Sequence, residues 1–125
     1  MATIFLIEDD STIRENTTEF LEMEGYKVKT ATNGKEGLEK MSVYKPDLIV
    51  CDIRMPEMDG LELLEKLGLH TELKTVPLIF FSAKSEKKDI SIGLKQGAFD
   101  YIVKPSDLDD LLASIKRCLL QRKQL

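Results

Sequence analysis

Short apolar runs alternate with segments of helical periodicity along the whole chain, and this rhythm restricts the fold more than any single residue does. Ile4-Phe5-Leu6-Ile7, Leu48-Ile49-Val50-Cys51, Val76 to Phe81 and Tyr101-Ile102-Val103 are the apolar runs. Strands covered on both faces read this way, without the alternation of a half-solvated strand. Tyr26 to Ala31 is more polar and suits a sheet edge. Each strand is followed by a helical segment, so five strands alternate with five helices. That pattern predicts an α/β fold with a parallel sheet covered on both faces.

The punctuation agrees with the rhythm. Ser11 is expected to cap the first helix, which carries Ile13, Thr17, Phe20, Leu21 and Glu24 at helical spacing and stops at Gly25. Asn33 with Glu36, and Asp59 with Glu62, form capping boxes for the second and third helices, which end about Val43 and Gly68. Ile90, Gly93, Leu94 and Gly97 give the fourth helix its inner face. Ser106 is expected to cap a fifth, whose stripe is Leu108, Leu111, Leu112, Ile115 and Leu119.

With 125 residues the chain reads as a single domain, 1–125, large enough for a real core. A formal charge of -4 argues against direct nucleic-acid binding, which needs a basic surface. No apolar run approaches the roughly 18 residues of a membrane span. The opening MATIFLIEDD reaches charge too early for a signal peptide, so a cytoplasmic protein without membrane partners is expected. Cys51 and Cys118 form no metal spacing and read as two reduced thiols. His70 has no ligand cluster around it and reads as a surface histidine.

Chemistry gathers at the strand ends. The first strand runs into Glu8-Asp9-Asp10, the third into Asp52, the fourth into Ser82 and the fifth into Lys104. In an open parallel sheet these ends share one edge, where ligands bind. Clustered carboxylates repel unless a cation is present. Oxygen-only ligands without His or Cys favour Mg²⁺ or Mn²⁺. An amine and a hydroxyl beside them suit phosphoryl transfer, in which a carboxylate can be the nucleophile.

FLIEDD after the first strand, CDIRMPEMDG around Asp52, FFSAK at Ser82 and YIVKP at Lys104 occur in the right order at the right strand ends. With these four motifs the chain resembles the receiver domain of two-component response regulators along essentially its whole length. The resemblance implies a flavodoxin-like doubly wound (βα)5 fold with strand order 2-1-3-4-5, like a chemotaxis receiver. It implies that Asp52 is the phosphoacceptor, with Asp9, Asp52 and the Arg54 backbone carbonyl as Mg²⁺ ligands and Glu8 acting through water. Ser82 and Lys104, with Ala83 in the same phosphoryl-binding set, would hold the phosphoryl group. Tyr101 would be the aromatic switch that turns inward when Ser82 moves, and Pro105 would follow a cis peptide bond.

Other acids and cations read differently. Asp10 is a solvated loop or helix-start charge, Asp59 a helix cap rather than a ligand, and Glu86-Lys87-Lys88-Asp89 a solvated helix start. Arg54 and Lys84, each two residues beyond a site residue, should overhang the site and alter the lifetime of the phosphorylated state. Ser106 stands where a bulky apolar residue often follows the Lys-Pro pair, so the last helix is expected to start less firmly packed.

The resemblance implies a sensor histidine kinase or histidine phosphotransfer protein as donor. The domain would act as a signalling module that catalyses only its own phosphorylation and dephosphorylation. The readout surface would be the last two helices with the fifth strand between them, where Ile92 falls off the buried stripe. One hydrogen bond to a charged group contributes about 1.5–3 kcal/mol, whereas a full two-state shift needs about 5.5. Ser82 alone is therefore too weak a switch, and Lys104 and Tyr101 must contribute. A flavodoxin-like redox role conflicts with Glu8-Asp9-Asp10, which would repel a flavin phosphate. An aspartate phosphohydrolase would carry its nucleophile on the first strand, and a pseudo-receiver scaffold would lack part of the set. The chain ends within a few residues of its last helix. That fits either a single-domain regulator that binds a partner or relays phosphate, or a domain cut from a longer regulator.

Overall fold

The computed structural model describes residues 1–104 and 108–123. Strands β1 (Thr3–Ile7), β2 (Lys27–Ala31), β3 (Leu48–Cys51), β4 (Leu78–Ser82) and β5 (Asp100–Val103) alternate with five helices. These are α1 (Ser11–Met23), α2 (Gly34–Val43), α3 (Gly60–Leu69), α4 (Lys87–Lys95) and α5 (Leu108–Lys123). The strands form one parallel sheet in the order β2-β1-β3-β4-β5, as the resemblance implied.

Alternate residues of each apolar run feed opposite faces of the sheet. Phe5, Ile7, Ile49, Cys51, Leu78 and Phe80 pack with Met41 of α2 and with Leu63 and Leu67 of α3. Ile4, Leu6, Leu48, Val50, Ile79 and Phe81 pack with Leu21 of α1 and with Leu111, Ile115 and Cys118 of α5. Both sides of β1, β3 and β4 are therefore dry, which is why their sequences show no polar alternation. No helix among the described residues is long and apolar enough to cross a membrane.

Register places the chemistry. Cys51 pairs with both Ile7 and Phe80, so Glu8 and Asp52 leave the sheet side by side. Ser82 pairs with Val103 and therefore sits one residue higher than the acid level, with Lys104 one higher again. The strand ends rise in steps around a shallow bowl whose floor is acidic.

Several local expectations are corrected. Asp10, not Ser11, is the N-cap of α1: its Oδ1 accepts from the Ile13 amide at 3.0 Å, and Ser11 is already helical. The carboxylate wins because its charge also faces the positive helix end. Glu24, at the C-cap of α1, is exposed, and the buried positions there are Thr17 and Leu21. Asn33 caps α2 through the Glu36 amide at 2.8 Å, but the Glu36 carboxylate turns to Thr32 and Lys40, so the box is half formed. Leu94 is 42% exposed and Gly97 lies beyond α4, leaving Ile90 and Gly93 as its inward side. β4 begins at Leu78 and includes Ser82, because Pro77 cannot donate to the ladder. The expected cap at Ser106 and the cis bond before Pro105 fall outside the described residues.

Cys51 and Cys118 are free and buried, and burial pushes both thiols up, Cys51 well above its ordinary value. Neither is therefore a ready thiolate. The folded protein should leave both cysteines unmodified by an aromatic disulfide reagent while the urea-unfolded chain reacts at both. Rapid modification in the folded state would contradict this packing.

Candidate functional site

Glu8 is the first residue past β1 and is only 2% exposed. Its amide bonds to the Ala31 carbonyl at 3.0 Å, which carries the β1–β2 ladder one step past the strand. Asp52 follows β3 in the same manner, with its amide on the Ile7 carbonyl at 3.1 Å. Lys104 follows β5 and reaches across the bowl to both acids. Its Nζ lies 2.5 Å from Glu8 Oε1 and 3.2 Å from Asp52 Oδ2, and it passes over the Phe81 ring.

The carboxylates are held on their other sides as well. Asp52 Oδ1 accepts from the Ile53 amide at 2.7 Å, and Glu8 Oε2 from the Asp10 amide at 3.2 Å. Asp9 is exposed and points its carboxylate to the same place. One oxygen each from Glu8, Asp9 and Asp52 lies within 4.8 Å of the others. Oxygens about 2.1 Å from a Mg²⁺ ion stand at most about 4.2 Å apart, so small adjustments or a bridging water let this donor set fit one such ion. Three carboxylates face one ammonium, which leaves negative charge for a divalent cation to neutralise.

Burial pushes the Glu8 carboxyl up, and the Asp52 charge adds to this, while Lys104 and the Asp10 amide work against it. Burial alone would lower Lys104, but the Glu8 hydrogen bond and the Asp52 charge outweigh it and hold the ammonium above its ordinary value. The lysine is therefore a fixed positive charge at any pH near neutrality.

Ser82 is 1% exposed; its Oγ accepts from the Lys84 amide at 3.3 Å, and its hydroxyl also meets the Tyr101 phenol. Ala83, next to it, is exposed. Tyr101 was expected to turn inward in response to Ser82. Here it is inward: 7% exposed, packed near Phe80 and Gly93, with its Oη donating to the Lys84 carbonyl at 2.7 Å. Arg54 and Lys84, expected to overhang the site, line with Asp9 and Asp59 an open hollow of about 380 Å³. Asp59 also caps α3 through the Glu62 amide at 2.8 Å, the role read for it.

Two supports were not legible in the sequence. Arg14 folds back from α1 onto the Glu8 and Asp9 carbonyls, a contact between residues of one short loop that no periodicity signals. Beyond Asp52, Glu57 takes φ 70, with the Met58 amide on the Pro56 carbonyl at 2.8 Å, a tight turn with no glycine to announce it. The Met58 carbonyl then accepts from Gly34 at 3.2 Å and ties this loop to α2.

The family profile of the response regulator receiver domain matches residues 4–116. The transcriptional regulatory protein CrdR of Helicobacter pylori is 43% identical over 91% of this chain and 53% of its own length. The response regulator ArlR of Staphylococcus aureus is 38% identical over 99% of this chain and 55% of its own. The chain thus spans about half the length of the curated relatives it matches. Among solved structures, the receiver domain of a Syntrophus aciditrophicus signal transduction histidine kinase superposes with a TM-score of 0.91. It is 35% identical, and the match covers 100% of this chain and 95% of that one. The chemotaxis protein CheY4 of Vibrio cholerae gives 0.88 at 29% identity, covering 94% of this chain and 98% of its own.

Gly60 opens α3 directly beneath the loop that follows Asp52, with its amide on the Ile53 carbonyl at 2.8 Å. A Cβ there would press into the Asp52 carbonyl, inside van der Waals contact, and against Phe80 and the Ile53 backbone. Gly60→Ala should lower unfolding free energy by about 1–3 kcal/mol, as overpacking does, in urea titrations. An unchanged midpoint would show that this loop has room to move.

Proposed function

Because the chain belongs to the receiver-domain family of two-component response regulators, we propose that Asp52 is its phosphoacceptor and that the pocket around it switches a protein-binding surface. Receiver domains are signalling domains, are phosphorylated on aspartate by sensor histidine kinases and bind Mg²⁺ in an acidic pocket. The observation that carries the assignment to Asp52 is the Lys104 ammonium, bonded at once to Asp52 and to buried Glu8.

In this reading an Asp52 carboxylate oxygen attacks the phosphorus of a phosphohistidine on a sensor kinase or histidine phosphotransfer protein. The phosphorus–nitrogen bond breaks, the imidazole leaves, and an acyl phosphate remains on Asp52. Asp9, Asp52 and the Arg54 carbonyl would hold a Mg²⁺ (or Mn²⁺) ion, with Glu8 acting through water, and the ion would supply neutralisation of phosphoryl charge. Lys104 turns part of its charge from Asp52 to the phosphoryl oxygens, and the Ser82 hydroxyl donates to another, beside Ala83.

Movement of Ser82 is transmitted through Lys84, whose amide bonds Ser82 and whose carbonyl bonds Tyr101. Inward Tyr101 clasps the β4–α4 turn, so the readout falls on α4, β5 and α5. There Ile92 is 47% exposed and available to a partner. The output is binding of a downstream protein or onward relay, in a cytoplasmic setting, rather than contact with nucleic acid by this domain.

Two experiments test the assignment. Intact mass after incubation with a small acyl-phosphate donor and Mg²⁺ should show a single phosphate adduct, lost in Asp52→Asn and on chelation. An adduct that survives Asp52→Asn would refute the acceptor. Phosphate loss should also run at a changed rate in an Arg54→Ala, Lys84→Ala double variant, because both cations line the hollow that Asp9 borders. Identical decay would remove them from any part in its lifetime.

A further inference from the structure

We infer that Arg14 is a positioning residue of the acidic pocket, a clamp on the Glu8 and Asp9 backbone that aims the Asp9 carboxylate at a divalent cation. This rests on the reading of Glu8, Asp9 and Asp52 as a cation pocket.

Arg14 is the fourth residue of α1, whose first turn holds no acidic residue. A cation at the positive end of a helix is unfavourable by itself, so a specific contact must hold it there. That contact is not a carboxylate: Arg14 makes no ion pair among the described residues. Its Nη1 instead donates to the Glu8 carbonyl at 2.8 Å and, more weakly, to the Asp9 carbonyl at 3.4 Å.

The three acids of this loop differ in what directs them. Glu8 is held by Lys104 and by the Asp10 amide, and Asp10 by the Ile13 amide. The exposed Asp9 carboxylate accepts no hydrogen bond from any described residue, so only its backbone sets where it points. That backbone is pinned on one side by the Glu8 amide on Ala31. On the other side it is pinned by Arg14. Fixing the carbonyls of residues 8 and 9 fixes the peptide planes that flank the Asp9 Cα, and with them the direction of its Cα–Cβ bond.

The guanidinium has two effects of opposite sign, which makes the inference decidable. As a clamp it raises cation affinity; as a nearby positive charge it lowers it. Outer-shell partners of metal ligands typically change affinity by about 10–100-fold. Mg²⁺ binding to the unphosphorylated full chain is measured by titration calorimetry, with circular dichroism as the folding control. Arg14→Ala should weaken Mg²⁺ by about tenfold, at the low end of that range. Arg14→Lys, which keeps donors for the carbonyls, should stay closer to the native chain. The alanine variant should keep the native far-ultraviolet circular dichroism spectrum. Its amides from Asp9 to Ser11 should exchange faster even without metal.

Equal or tighter Mg²⁺ binding by Arg14→Ala overturns the clamp, as does an unchanged exchange rate in that loop. If the alanine variant does not fold, the lysine variant decides: affinity near native supports the clamp, and a tenfold loss overturns it. Failure of the native chain itself to bind Mg²⁺, or binding undiminished in Asp9→Asn, overturns the cation pocket and this inference with it.

Discussion

Lys104 joins two buried acids that arrive from different strands, and the rest of the site is arranged around that junction. The side chains of Lys104, Glu8 and Asp52 are 11%, 3% and 12% exposed. Charges so withdrawn from water persist only when paired, and removing one partner from such a cluster costs about 3–5 kcal/mol. The cluster therefore ties the ends of β1, β3 and β5 together through one ammonium. It also leaves a third acid, Asp9, at the mouth, with no ion pair among the described residues.

Such a cluster needs rigid walls, and these come from close backbone packing. Gly60 lets α3 approach the Asp52 carbonyl, and Gly34 lets α2 approach the carbonyl of Met58. The turn at Glu57 accepts a positive φ to complete the loop between them. Backbone strain of this kind persists where the surroundings over-determine it, and here they do, from α2, α3 and β3 at once. The hydroxyl groups lie on the other wall. Ser82, Lys84 and Tyr101 are linked in a chain of two hydrogen bonds, each worth little alone. The acid wall, held by close backbone packing, thus faces a wall whose polar groups are joined by hydrogen bonds.

Much of the fold was legible because dry strands have to be apolar throughout: β1, β3 and β4 are recognisable from composition alone. The caps at Asn33 and Asp59 were legible for the same local reason, a short acceptor side chain ahead of an apolar stripe. Errors arose where two local solutions compete. Asp10 and Ser11 can each cap α1, and the Asp10 carboxylate prevails because its charge faces the positive helix end. Leu94 matches the helical period of α4, yet the large rings of Phe80 and Tyr101 fill the space beneath Gly93 and turn Leu94 outward. The inward pose of Tyr101 depends on the Lys84 carbonyl, which no pattern around residue 101 reveals.

Residue order alone therefore settles the alternation of strands and helices, the acidic, hydroxyl and amine groups at the strand ends, and the motifs that resemble a receiver domain. These depend on neighbours a few positions apart, so they are written locally. The packed chain decides the rest: that Lys104 grips Glu8 as well as Asp52, that Tyr101 lies inward, and that Arg14 turns back on its own loop. Long-range contacts between Lys104 and residues 96 and 52 positions away are set by register and burial. Neither is visible until the sheet has closed around them.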